Sequence, residues 1–168
     1  MELYATTAGD EALLLDLLNT TPVIDGTATD LLRDLATAAA WLSDHDVAAT
    51  EDELTGLVAA RQVLQAVVRG DRTPSALEPF LDRIRLRPVA TDDGVDWRLT
   101  ESAGATRAVL AWDGLRITSP GRLRPCANDE CRLFLIDRSK PNTARWCSMA
   151  ICGNRMKARR HYRRTHPD

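Results

Sequence analysis

The sequence predicts a mainly α protein with a small β-hairpin (α+β), plus a C-terminal treble-clef-like zinc finger. Three observations predict it. Apolar residues recur at helical spacing from Asp10 to Ile84, a hairpin turn signal stands at Asp92-Asp93-Gly94, and all four cysteines lie in the last third of the chain. At 168 residues the chain is one ordinary domain, or one medium domain plus a small metal-stapled one.

The dense run Leu13, Leu14, Leu15, Leu17 and Leu18 places a short buried helix over Asp10 to Asn19. Asp30 can cap a helix reaching about Asp44, with Leu31, Leu35, Ala38 and Leu42 on one stripe and Trp41 nearby. His45 then reads as a solvated C-terminal cap between Asp44 and Asp46. Thr50 and Glu53 form a capping box before Leu54, Leu57, Val58, Leu64, Val67 and Val68. Ser75 and Glu78 repeat that box before Phe80, Leu81 and Ile84. Leu86 to Ala90 and Val95 to Thr100 flank the hairpin turn. Over residues 106–118 a helical stripe (Val109, Trp112, Arg116) competes with a second hairpin signal, Asp113-Gly114; the balance falls to helix. Trp41, Trp97 and Trp112 read as core. Ser119-Pro120-Gly121 breaks the chain, so the predicted division is an α-rich domain over 1–121 and a finger over 122–168.

Charge divides at the same point. Residues 1–121 sum to −10 and residues 122–164 to +9, although the whole chain is only −2. A basic module that meets an anion and an acidic module with another task follow from that asymmetry. No apolar run is long enough to span a bilayer, and no export signal opens the chain, so a cytoplasmic location is expected.

Cys126, Cys131, Cys147 and Cys152 are spaced as two matched C-x4-C pairs. Four thiolates on two tight turns suit one structural zinc per chain, whose preferred sphere is tetrahedral and rich in sulfur. Disulfides or unrelated buried thiols are the alternatives; the reducing location and the matched spacing weigh against each. Phe134 to Asp137 reads as a strand, Arg138 to Asn142 as a turn and Ala144 to Trp146 as the return strand, with Phe134 and Trp146 as hairpin core. The run from Met156 to Arg164 lacks Gly, Pro and β-branched residues and reads as a helix. It carries Arg155, Lys157, Arg159, Arg160, Arg163 and Arg164, a cationic surface suited to phosphates and guanine edges. Arg155, Arg159, Tyr162 and His166 share one stripe of it. No catalytic constellation stands out, so no enzyme is expected; His161 and His166 are ordinary tail residues beside a ligand set that four thiols complete.

The segment from Arg124-Pro125-Cys126 through Arg145-Trp146-Cys147-Ser148-Met149 to Cys152-Gly153-Asn154-Arg155 resembles the CGNR zinc-finger family, which takes its name from that last tetrapeptide. Leu133-Phe134 and Asp137-Arg138-Ser139 belong to the same resemblance. Upstream, Leu15-Asp16-Leu17-Leu18-Asn19-Thr20 and the helical body resemble the ABATE domain that accompanies this finger. The resemblance implies a bacterial, stress-responsive transcription regulator whose finger contacts duplex DNA. The N-terminal domain is expected to sense a small-molecule effector or to form a homodimer. A protein-interaction adaptor whose basic finger binds an acidic partner is the alternative from another class. RNA binding is a third reading, poorly supplied with stacking aromatics.

Overall fold

The computed structural model describes residues 7–24, 26–82, 84–99 and 103–165. Helix α1 (Ala8–Leu18) opens with a reciprocal capping box: the Thr7 hydroxyl accepts from the Asp10 N–H at 3.1 Å, and the Asp10 carboxylate accepts from the Thr7 N–H at 3.2 Å. A minimal pair of strands, β1 (Val23–Ile24) and β2 (Thr27–Ala28), follows. Helices α2 (Leu35–Asp44) and α3 (Glu51–Arg69), a 3-10 helix over Pro74–Phe80, the hairpin of β3 (Leu86–Thr91) and β4 (Gly94–Leu99), and α4 (Gly104–Thr118) complete the N-terminal part. The finger comprises β5 (Leu123–Pro125), antiparallel β6 (Phe134–Ile136), a π-type turn over Met149–Gly153, and α5 (Asn154–Thr165). Residues 106–118 are therefore helical, and the Asp113-Gly114 dipeptide lies inside α4.

The core forms where α1 and α3 meet α4. Leu13, Leu14, Leu17 and Leu18 of α1, Leu57 and Leu64 of α3, and Ala108, Ala111 and Leu115 of α4 are all buried there. Removing each large side chain of this set from water contributes about 1.5–3 kcal/mol. Gly104 lets α4 begin against the core, since a Cβ there would stand 3.0 Å from Val47 Cγ2 and 3.2 Å from Leu57 Cδ2. Two ion pairs, each with one buried partner, tie the helices together. Arg107 of α4 donates to Asp10 at 2.9 Å and to the carbonyl of His45, the residue that ends α2, at 2.9 Å. Arg61 of α3, 3% exposed, grips both Asp30 oxygens at 2.7 Å and the Thr20 hydroxyl at 2.8 Å.

That second pair explains a difference from the sequence reading. Asp30 does not cap α2; Asp34 does, by accepting from the Thr37 N–H at 2.8 Å. Asp30 is committed to Arg61 and to the Leu32 N–H, and Leu31 is left 40% exposed. The Ser75/Glu78 box does not form either. Pro74 occupies the first helical position, which makes Thr73 the cap residue, and Pro79 limits the segment to a short 3-10 helix. At α3 only half of the predicted box forms, because the Glu53 carboxylate accepts from the Gly104 N–H instead. His45 is the C-cap of α2, as expected, but it is not solvated: its ring packs on Trp41 at 4.4 Å and lies 3.3 Å from Asp16. Trp97 is 46% exposed on the hairpin rather than core, while Trp41 and Trp112 pack against the core's edge. Thr100, expected at the end of the second hairpin strand, lies outside the described residues. No helix among the described residues is long and apolar enough to cross a membrane.

In the finger, β6 pairs with Leu123–Pro125, and residues 144–146 form no strand. The reason is Asp137. Its fully buried carboxylate accepts from the Ser139 N–H at 2.8 Å, the Ser139 hydroxyl at 2.6 Å and the Ala144 N–H at 2.8 Å, and meets Arg124 at 2.6 Å. This side chain, with Arg122 on the Ser139 carbonyl and Arg124 on Asn142, closes the 137–144 loop and replaces the ladder a return strand would have supplied.

Candidate metal centre

The first cysteine pair sits on a tight knuckle after β5. The Cys126 N–H donates to the Leu133 carbonyl at 2.8 Å, and the Cys131 N–H donates to the Asn128 carbonyl at 2.8 Å. The second pair is brought alongside by two bonds: the Ala127 N–H donates to the Arg145 carbonyl at 2.8 Å, and the Cys147 N–H points at Cys126 Sγ from 3.5 Å. The π-type turn then carries Cys152 inward, and Gly153 packs beneath it. A Cβ at Gly153 would lie 2.7 Å from Met149 Sδ and 3.3 Å from Trp146 Cδ1, so a side chain there would have to push aside the flexible end of Met149 and crowd the Trp146 ring.

The four Sγ atoms all lie within 4.8 Å of one another. Cys131 and Cys147 are 3.7 Å apart, as are Cys147 and Cys152. A tetrahedron of sulfurs about a zinc ion, with bonds of about 2.3 Å, has edges of about 3.8 Å, whereas a disulfide requires about 2.05 Å. The donor set fits one metal ion, and the ion it suits is a single structural zinc. Burial raises the Cys131 thiol to about 11, and burial together with the neighbouring thiols lifts Cys147 further. Cys152 is shifted down: burial opposes the shift, but Asn128 and the other three thiols overcome it by hydrogen bonding. A divalent cation supplies the positive charge that four clustered thiolates need, and its binding displaces their protons.

Around the sulfurs stands a layer that the cysteine spacing does not reveal. Asn128 is 1% exposed; its Nδ2 donates toward Cys152 Sγ at 3.5 Å and its Oδ1 accepts from the Glu130 N–H at 3.4 Å. Its place two residues after Cys126, inside a turn that must satisfy its own amides, is the one signal that could have marked it. Asn154 donates from its side chain to the Ala150 carbonyl at 3.3 Å, a backbone bond within the turn.

The finger is docked on the helices through Phe134. This residue of β6 is 1% exposed and belongs to the helical core, not to a separate hairpin core. Its peptide group is clamped by Asn19 of the α1 terminus, whose carboxamide accepts from the Phe134 N–H at 2.7 Å and donates to the Phe134 carbonyl at 3.2 Å. Asn19 thereby mimics the peptide unit of a neighbouring strand on the outer edge of β6. Arg69 lies 4.7 Å over the Phe134 ring, Arg138 pairs with Glu11, and Leu123 and Ile136 pack against the core beside them.

The basic helix projects from the metal end. Arg155, Lys157, Arg160 and Arg164 are exposed and form no ion pair among the described residues, and Arg163 lies on the same helix. Arg159 differs: it pairs with Glu130 at 2.6 Å, tying α5 to the first knuckle. Arg159 and, behind it, Arg155 hold the Glu130 carboxyl below its ordinary value. His166 lies outside the described residues. A cavity of about 710 Å³ runs between this end of the finger and α1, bounded by Leu15, Pro22, Val23, Leu133, Ile151 and Arg155.

A helical domain sealed by a four-cysteine finger with a cationic helix defines a zinc-finger protein. Two family models match it: the CGNR zinc finger over residues 122–165, and ABATE, described as "Putative stress-induced transcription regulator", over residues 11–134. The chain belongs to the ABATE family and carries a CGNR zinc finger. The two matches overlap from 122 to 134, the segment that includes β5 and ends at Phe134. No curated protein matches the chain.

Proposed function

We propose that this regulator binds duplex DNA through its finger, with α5 presented to the duplex by a zinc ion held on Cys126, Cys131, Cys147 and Cys152. One observation carries the reading. Arg155, Lys157, Arg160 and Arg164 stand exposed on a metal-anchored helix with no carboxylate bound to them among the described residues, while the rest of the chain is strongly acidic. Unpartnered guanidinium and ammonium groups on a rigid support are what a phosphate backbone engages. In this reading Arg163 adds to the same cationic surface, and Arg159, held by Glu130, fixes the angle of the helix. Residues 1–121 form the regulatory part and residues 122–168 the DNA-binding part. That division is one of task and not of packing, since Phe134 is shared. The cavity beside Arg155 is where a small-molecule effector would touch both parts, and stress-induced regulation in the cytoplasm is the setting the family description suggests.

Titration of zinc-loaded protein against random duplex DNA at several salt concentrations tests the reading. The log–log slope should be about −0.9 for each phosphate neutralised. Replacing Lys157 or Arg160 with Ala should weaken all sequences alike and reduce the slope by roughly one. An adaptor for an acidic protein is the competing reading, favoured by Met149 and Ile151, which are 54% and 60% exposed beside the helix. Negligible duplex binding at physiological salt would decide for it.

A further inference from the structure

Strands β3 and β4 form a separate two-stranded sheet in which Leu86 faces Leu99, Pro88 faces Trp97 and Ala90 faces Val95. The two-residue loop Asp92-Asp93 makes Thr91–Gly94 the closing pair, which exchanges hydrogen bonds, and bonded and non-bonded pairs alternate from there. On β4 the bonded residues are then Gly94, Asp96 and Arg98. Pro88, which has no N–H, falls at a non-bonded position, as its chemistry demands. It follows that Val95, Trp97 and Leu99 direct their N–H and C=O groups away from β3, toward the outer edge of β4, where the described residues supply no strand.

The two outer edges are not equivalent. On β3 the central outward position is Pro88, whose missing N–H interrupts the row, a common protection against edge pairing. On β4 the row is complete, and Val95 and Trp97 are 61% and 46% exposed. The sequence of β4 is also complementary to itself in reverse. An antiparallel copy of Val95-Asp96-Trp97-Arg98-Leu99 centred on Trp97 sets Asp96 opposite Arg98 twice, Val95 opposite Leu99 twice, and Trp97 opposite its own counterpart. In that register the outward backbone groups of 95, 97 and 99 form the bonded pairs. The charged residues fall at the closer, non-bonded pairs, where opposite charges stabilise. A register centred on Asp96 would also let the outward groups of Val95 and Trp97 bond, but it would set two carboxylates opposite each other at the closer, non-bonded pair.

We propose that the protein forms a two-fold dimer in which β4 pairs antiparallel with β4 of a second copy, Trp97 lying on the axis of a four-stranded sheet. The assembly closes at two chains, because the edges left over are those broken by Pro88. This inference rests on the register and sequence of β4 alone and is independent of DNA binding. Sedimentation equilibrium of the full-length, zinc-loaded protein tests it. Wild type should dimerise. D96R and R98D should each dimerise about tenfold more weakly, since each replaces two opposite-charge pairs with two like-charge pairs. Mixing D96R with R98D one to one should restore dimers, because all charged pairs are opposite again in the mixed species. V95P, which removes outward N–H groups but no bond within the hairpin, should also weaken association, with helical content and zinc loading unchanged. A monomeric wild type, or a dimer that D96R, R98D and V95P leave intact, overturns the proposal.

Discussion

Phe134 belongs to the finger by sequence and to the helical core by packing, and Phe134→Ala measures how far the two are one folding unit. The ring is 1% exposed, sits among the core residues of the helices, and has Arg69 over it at 4.7 Å. Truncating a buried Phe to Ala costs about 3–5 kcal/mol, transfer and cavity terms together. The exposed guanidinium above the ring adds about 0.5 kcal/mol within that range. For a chain of this length each kcal/mol lowers the melting temperature by about 2–4 °C, so a drop of roughly 10 °C is expected. The assay is thermal unfolding followed by far-ultraviolet circular dichroism, with zinc release recorded in parallel by a chromogenic chelator. The helical signal of F134A should melt early, while its zinc stoichiometry at 20–25 °C, a standard working range, stays at one. Chelating the zinc from wild type should produce a comparable fall in helical stability, because an unfolded finger withdraws the same ring from the core. A helical transition in F134A within about 2 °C of wild type would refute the reasoning, and the finger would then be an appendage.

Three further outcomes follow from particular side chains. Asn128→Ala removes the amide that bonds Cys152 Sγ and should lower zinc affinity by about 10–100-fold in competition with a chelator, with the fold retained; unchanged affinity would refute that role. Asp30→Asn should destabilise the helical domain by about 3 kcal/mol at pH 7, because Arg61 would keep its burial and lose its counter-charge. Arg61 holds the Asp30 carboxyl below 3.8, so this stabilisation is complete above about pH 4 and is lost as pH falls through the lowered value. Wild type and D30N should therefore converge in stability on acidification, and parallel curves would exclude the linkage. Gly153→Ala should displace Met149 and Trp146 and loosen the turn that carries Cys152; a variant with unaltered zinc affinity and tryptophan emission would show that the contact is not needed.

Much of this was legible in the sequence, and for physical reasons. The helices of residues 8–69 declare themselves through their apolar residues and, at α3, through the Thr50 cap, interactions that span a few residues. The hairpin declares itself through a two-residue turn, and the metal centre through four residues of one chemical type at matched spacing. Less legible were the interactions made by long side chains across sequence distance. Nothing near Asp30 indicates that Arg61, 31 residues away, will claim it and hand the cap to Asp34. Nothing in Ala144-Arg145-Trp146 indicates that a buried Asp137 will replace a strand ladder. The Asp113-Gly114 signal failed for a related reason: the small residues Ala105, Ala108 and Ala111 let α4 pack closely on α1 and α3, and that tertiary gain outweighs a local turn preference.

Asn19 and Phe134 show where local and distant information meet. Asn19 closes α1 in a sequence context that is locally unremarkable, yet its carboxamide serves as the neighbouring peptide for β6. A two-stranded sheet of three residues per strand is marginal alone in water, and so is a small finger without its metal. Docking alters both conditions. The clamp satisfies the outer edge of β6, the ring fills the core between the helices, and the zinc holds the knuckles on either side of the strand in place. Any change that moves α1 relative to α3 must then move Phe134, and with it the strand that runs between Cys131 and Asp137. The helix bearing the cations hangs from the same metal. A displacement of the helices that reached Phe134 would therefore pass through β6 and the cysteine knuckles to α5.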